Sequence, residues 1–184
     1  MPYYVMVCEG KHPIMPIRKG PRKGGWRLGC LITEPVAQPL VYELDGNHPG
    51  APKAMYSAES APLMHDSVRM ALTSAGVSNI QYFDAVLKDP VSGRELLDYK
   101  AFNIVGLVAC ADMGASEMMD TSDSAMGDAD FHALVIDETK TGGQLLFRLA
   151  ENTSAIVVHD RIKQAIEAAG IPGFVFYGSG EWSG

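Results

Sequence analysis

The chain writes one motif twice. An apolar stripe at helical spacing ends in Ala-Gly and runs into a short apolar strand. The first copy passes from Asp66 through Val68, Ala71, Leu72, Ala75, Gly76 and Val77 to Ile80 and Tyr82. The second passes from Asp160 through Ile162, Ala165, Ile166, Ala169, Gly170 and Ile171 to Phe174 and Phe176, each position 94 residues beyond its counterpart. Asp66 and Asp160 stand where an N-cap carboxylate would accept from orphan backbone N–H groups, and the apolar residues share one helix face. Ala71, Leu72, Ala165 and Ile166 are therefore expected in the core. Gly76 and Gly170 stand at the C′ position, where a left-handed backbone stops a helix, so positive φ is expected at both. The repeat constrains a scaffold and names no chemistry.

Around it the pattern is mostly β. Tyr3 to Cys8, Trp26 to Ile32, Val41 to Leu44, Asn79 to Leu87, Tyr99 to Ala111, Ala155 to Val158 and Phe174 to Tyr177 read as strands, the last ending the ordered part. Gly106, inside the long Tyr99–Ala111 run, marks a bulge or a close backbone approach. Ala133 to Asp137 and Leu145 to Leu149 flank Thr141-Gly142-Gly143 as a hairpin would. The first repeat helix is read over Leu63 to Ala75, after a stretch from Asp45 to Pro62 rich in Pro, Gly, Ala and Ser. Strands outnumber helices without a steady βαβ rhythm. The expected fold is α+β: a single domain over residues 1–184, with a mixed, largely antiparallel sheet and two helix–strand repeats. Residues 1–62 form its loop-rich part.

Several function classes fall away. A net charge of −7 over 184 residues disfavours direct binding to nucleic acid, which needs a basic face. The longest apolar run, Ile104 to Ala111, is far short of the ~20 residues of a membrane helix. The start, MPYYVMVCEGK, lacks a basic leader followed by an apolar stretch. Cys8, Cys30 and Cys110 are odd in number and have no C-x-x-C spacing, so a reduced cytoplasmic setting is expected.

The search for catalytic groups is equally negative. His12, His48, His65, His132 and His159 include no pair at i, i+4 with a Glu. His159-Asp160 fits helix capping better than a dyad. Gly20-Pro21-Arg22-Lys23-Gly24-Gly25-Trp26 lacks the G-x-x-x-x-G-K-[ST] order of a phosphate loop. Gly178-Ser179-Gly180 makes no G-x-S-x-G elbow. Trp26 and Trp182 read as packing residues. No enzyme, cofactor or metal is expected.

Charge, by contrast, is sorted. Lys11, Arg18, Lys19, Arg22, Lys23 and Arg27 occur with no acid among them. Asp112, Glu117, Asp120, Asp123, Asp128, Asp130, Asp137 and Glu138 occur with no Lys or Arg among them. Between Gly114 and Asp130 the text GASEMMDTSDSAMGDAD has no hydrophobic period and reads as a long exposed loop. A solvated loop without a role fits it. So does a docking surface in which carboxylates steer a basic partner and Met118, Met119 and Met126 give adaptable apolar contact. A calcium loop fits poorly, because Gly127 precedes Asp128 rather than following a run of ligands.

Five blocks carry a resemblance. They are NIQYFDAVLKDPVSG (Asn79 to Gly93), YKAFNIVGLVACADM (Tyr99 to Met113), FHALVIDE (Phe131 to Glu138), LLFRLAENTSAIVVHD (Leu145 to Asp160) and AIEAAGIPGFVFY (Ala165 to Tyr177). Together they resemble the immunity-protein family numbered eleven in bacterial polymorphic-toxin systems. The resemblance spans residues 63–184; before Leu63 only the opening strand and the Trp26 region match, and loosely. It implies a cytoplasmic protein that binds and silences a cognate toxin, and it carries over no catalytic residue. From charge alone, Glu117, Met118, Met119, Asp120, Asp123, Asp128 and Asp130 are the expected toxin-binding residues. A nuclease, whose substrate groove must be basic, is the expected toxin. The rival reading is an enzyme or small-ligand protein whose site is assembled from distant residues, and a deep pocket with converging polar groups would favour it.

Overall fold

A computed structural model describes residues 2–22, 24–119 and 129–184. Two sheets carry most of the strands. The first has the order Leu107–Val108, Leu146–Leu149, Ile156–His159, Tyr3–Cys8, Phe174–Tyr177. Leu107–Val108 runs parallel to its neighbour and the other pairs are antiparallel. The second has the order Ile17–Lys19, Leu40–Leu44, Ile80–Asp89, Tyr99–Ile104, Leu63–His65, Met55–Tyr56, with Arg94–Leu96 folded back on Ile80–Asp89. Leu40–Leu44 lies parallel to Ile80–Asp89 and the rest are antiparallel. This is the mixed, largely antiparallel α+β architecture expected.

The two repeat helices are α1 (Asp66–Ser74) and α2 (Asp160–Ala168). Their caps lie one residue earlier than expected. His65 and His159, not Asp66 and Asp160, are the N-caps, each accepting at Nδ1 from the backbone N–H two residues on, at 3.1 Å in both. A short strand feeds each helix, and its last extended residue is the histidine, which leaves the aspartate in the first turn. There the carboxylate faces the positive end of the helix dipole. Asp66 accepts from Arg69 Nε at 2.7 Å and Asp160 from Gln164 Nε2 at 2.6 Å. The C-termini are as expected: φ is +91° at Gly76 and +63° at Gly170. The Gly76 and Val77 N–H groups donate to Thr73 and Leu72, and those of Gly170 and Ile171 to Glu167 and Ile166. That doubled pattern is a Schellman stop at each end.

The duplication reaches further than the helices. Each helix joins two strands that run the same way, with a third strand inserted antiparallel between them. Around α1 the inserted strand is Tyr99–Ile104, with Tyr99 opposite His65 and Phe102 opposite Tyr82. Around α2 it is Tyr3–Cys8, with Tyr3 opposite His159 and Met6 opposite Phe176. In chain order, then, each half contributes a strand, an insertion, and a strand–helix–strand unit. The leading strand of each half has crossed into the sheet of the other.

Three apolar clusters follow from this. The inner faces of both sheets close on the packed helices, burying Met6, Met64, Val68, Leu72, Phe102, Leu146, Ile162 and Ile166 together. Ala71 is buried there as expected, and Ala165 is half-buried against the cluster. On the outer face of the second sheet, the first insertion adds Met15, Trp26, Leu40 and Tyr42 to Tyr56, Leu63, Tyr99 and Ala101. On the outer face of the first sheet, the second insertion adds Cys110, Phe131, Leu134 and Ile136 to Tyr3, Val5, Phe147 and Val157. Trp26 packs edge-on to Phe83 at 4.7 Å and Trp182 lies near Phe131 at 6.5 Å, the packing roles expected.

Four local expectations are corrected. Trp26 to Ile32 is not a strand but turns and irregular chain, because Gly25 and Gly29 take φ of +92° and +70°. Residues 63–65 are strand rather than the first turn of α1. The Thr141-Gly142-Gly143 turn forms, but it closes no hairpin: Leu146–Leu149 is flanked by Ile156–His159 and Leu107–Val108. The chain also stays ordered past Tyr177, since Gly184 exchanges two backbone hydrogen bonds with Phe131 (2.9 and 3.0 Å). The long Tyr99 run does break at Gly106, where the Gly106 N–H donates to the Gly29 carbonyl at 2.8 Å. A Cβ at Gly106 would come within 3.1 Å of the Gln144 amide oxygen, so the expected close approach is real.

Candidate functional site

The acidic stretch is mounted on the outer face of the first sheet. Ala111 is buried and bridges to Ile136, so the chain leaves the core there at a fixed point. Asp112 then shapes a turn: its Oδ1 accepts from the Gly114 and Ala115 N–H groups at 3.0 and 3.1 Å, and its carbonyl from Ser116 at 2.8 Å. Glu117–Met118 follows as a strand antiparallel to Phe131–Ala133. The Met119 N–H donates to the Asp130 carbonyl at 3.0 Å, bringing both ends of the acidic segment together.

This ribbon has firm support. Phe131 is fully buried. Its other backbone edge is taken by Gly184, and the Leu134 N–H donates to the Trp182 carbonyl at 3.1 Å. Ala129, also buried, donates to the Glu151 carbonyl at 2.9 Å and accepts from Asn152 Nδ2 at 2.9 Å. Strand alternation then decides which side chains face outward. Glu117, Met119 and Asp130 are exposed, whereas Met118 is half-buried against the outer core. Met119, 44% exposed, is thus the apolar group the ribbon presents. Asp120, Asp123 and Asp128 lie outside the described residues, between the two anchored ends. Asp137, at the far end of the run, is occupied locally: hydrogen bonds from Thr139 and then Lys140 hold its carboxyl below the ordinary range.

The described residues of the basic run lie in the first insertion, where one of them meets an acid of the second sheet. Arg18 reaches Glu43 at 3.8 Å. The two insertions cover the outer faces of different sheets.

A surface depression of about 500 Å³ is lined by Lys19, Leu40, Tyr42, Glu43 and Lys88. Three of its polar groups bind other protein groups: Tyr42 donates to the Ala61 carbonyl at 2.9 Å, Glu43 takes Arg18, and Lys88 takes Glu95 at 3.3 Å. Three of the five histidines have structural partners, His65 and His159 at the helix caps and His48 on Asp45 at 2.7 Å. Among the described residues no group of three His, Cys, Asp or Glu is placed to hold a metal ion. No helix among them is long and apolar enough to cross a membrane.

One buried group gave no sequence signal. Arg148 is fully buried, its Nη1 donating to the Thr153 and Ser154 carbonyls at 2.9 and 3.4 Å. Its Nε and Nη2 have no protein partner in the described structure. Burial, reinforced by the positive charge of Arg27, pushes its pKa down to about 10. In LLFRLA an arginine reads as a side chain that snorkels to water, and only the three-strand environment of Leu146–Leu149 prevents that.

The profile of the Immunity protein family (Imm11) matches residues 63–181, and the chain belongs to that family. Comparison with curated proteins gives no match.

Proposed function

We propose that this immunity protein neutralises its cognate toxin by direct contact, that the toxin is a nuclease, and that the acidic ribbon is the contact surface. The observation that carries this is the pairing of Met119 with Asp130, which holds exposed Glu117, Met119 and Asp130 together at the base of the segment bearing Asp120, Asp123 and Asp128. A nuclease groove is basic because it holds phosphates. Carboxylates laid across it would take the place of the nucleic-acid backbone, and Met119 would supply apolar contact at their edge. Exposed acids of this kind speed encounter more than they slow release. The encounter belongs in the cytoplasm, where the toxin would reach nucleic acid.

The test uses the toxin domain encoded beside this chain. Replacing Asp120, Asp123, Asp128 and Asp130 together by Asn removes charge while keeping size and polarity. Slower association at low salt is expected, with the gap narrowing as salt shortens the screening length to ~8 Å. Wild-type affinity at low and moderate salt would remove the ribbon from the interface. A toxin domain that leaves both DNA and RNA intact would remove the nuclease assignment.

A further inference from the structure

We propose that Phe174–Tyr177 is a self-association edge, at which two copies of this chain pair antiparallel about Val175 and join their five-stranded sheets into one. This inference is independent of the proposed toxin contact, whose described strands, Glu117–Met118 and Phe131–Ala133, pack on the outer face of the sheet rather than at its edge.

Phe174–Tyr177 ends the strand order of the first sheet. The Glu9 N–H donates to the Gly173 carbonyl at 2.8 Å. By the alternation of an antiparallel ladder, Gly173, Val175 and Tyr177 turn their backbone groups toward Tyr3–Cys8, and Phe174 and Phe176 turn theirs away from the sheet.

Edge strands are normally blunted by shortness, charge or irregularity, and the other sheet edges are. Leu107–Val108 and Met55–Tyr56 have two residues each. Ile17–Lys19 carries Arg18 and Lys19 and has a register shift. Phe174–Tyr177 has none of these guards: FVFY holds four consecutive residues in unbroken register, with no charge and no proline. Its counterpart in the first half, Ile80–Asp89, is covered from within. There the Asp84 N–H donates to Gln38 Oε1 at 2.6 Å, and Leu40–Leu44 runs beside the strand from Ala85 onward. Among its described residues the second insertion makes no such return; they pack on the outer face of the sheet.

The geometry selects a second copy as occupant because the edge is its own complement. Phe174 and Phe176 lie symmetrically about Val175. An antiparallel copy therefore sets each Phe174 against Phe176 of the second copy, and each of these pairs exchanges two N–H···O=C bonds. The contact is isologous and closes as a two-fold dimer. Phe174 and Phe176, already stacked at 6.3 Å and 22°, then meet aromatic rings across the junction. Val175 faces itself in a non-hydrogen-bonded pair, where side chains come closest.

The experiment is sedimentation velocity of the full chain over a concentration series, with V175K and V175E alone and mixed. The wild type is expected to double in mass as concentration rises. Each variant alone stays monomeric, since like charges meet at the axis, and the equimolar mixture regains the dimer as Lys faces Glu. Amide exchange gives a second readout that needs no variant: the Phe174 and Phe176 amides slow as concentration rises. A wild type that stays monomeric throughout, with those two amides exchanging at one rate at every concentration, overturns the proposal. Dimers that persist in both single variants also overturn it, because another surface, or another occupant of this edge, is then at work.

Discussion

Tyr3 stands to His159 as Tyr99 stands to His65. Each tyrosine lies opposite its histidine in the ladder, and the rings meet edge to face at 5.2 Å and 83° in one pair and 5.1 Å and 76° in the other. Both histidines cap a helix through Nδ1, so each tyrosine braces an imidazole that satisfies the first turn of α1 or α2. The bracing tyrosine always arrives from the other half of the chain.

The caps can be weighed. His65→Ala and His159→Ala should each lower stability by about 0.5–2 kcal/mol, the range for losing an N-cap acceptor. Asparagine at the same positions should recover most of the loss, because its amide oxygen can reach the same N–H. Denaturant midpoints at neutral pH decide it, and an unchanged midpoint in both alanine variants would mean that the ring nitrogens contribute nothing.

Leu72 and Ile166 occupy equivalent places in the inner cluster, both essentially without exposure. Leu72→Ala or Ile166→Ala should cost about 2–5 kcal/mol, the loss of transfer energy plus a cavity. The two helices pack on each other, so the double variant should depart from the sum of the singles. Additivity within error would show that the halves do not share one core.

Arg148 carries the opposite sign. A buried guanidinium with unsatisfied Nε and Nη2 pays desolvation without an ion pair to offset it. Arg148→Met keeps the volume, and its stability should lie within about 1 kcal/mol of wild type or above it. Chemical denaturation followed by tryptophan fluorescence measures this, and a loss well beyond that margin would mean that the bonds to Thr153 and Ser154 dominate.

Acid should unfold the chain through a few local turns. Asn47 and His48 hold the Asp45 carboxyl below its ordinary pKa, Ser92 does so for Asp89, and Thr139 and Lys140 for Asp137. A depressed folded pKa gives stability that is present above the unfolded pKa and lost as pH falls through the folded one. Stability should therefore fall as pH drops below the ordinary aspartate range, and Asp45→Asn, Asp89→Asn and Asp137→Asn should each flatten that fall. Thermal melts across the acid range test it, with parallel curves for wild type and all three variants as the adverse result.

The helices were legible because their signals are local: a 3.6-residue period and an Ala-Gly stop need no knowledge of neighbours. The caps were misread because aspartate is a favoured N-cap and histidine is not, although the strand geometry puts the histidine there. The crossed strands left almost no trace. YYVMVC and YKAFNI share a leading tyrosine and little else, since a buried β position accepts any residue that fills its space. The Gly142-Gly143 turn signal was sound, but the edges of Leu146–Leu149 go to strands far away in sequence. At the candidate site the charge could be read directly. The inward turn of Met118 could not, because it depends on pairing with Phe131, which is itself fixed by Gly184 at the end of the chain.

The exchange of leading strands also sets when this protein can begin to work. Tyr3–Cys8 is made long before the two strands it pairs with, Ile156–His159 and Phe174–Tyr177. Such long-range pairing is slow to form. YYVMVC must wait without its sheet partners until the second strand–helix–strand unit has been made. A chain interrupted before Ile156 leaves Tyr3–Cys8 without either of its sheet neighbours.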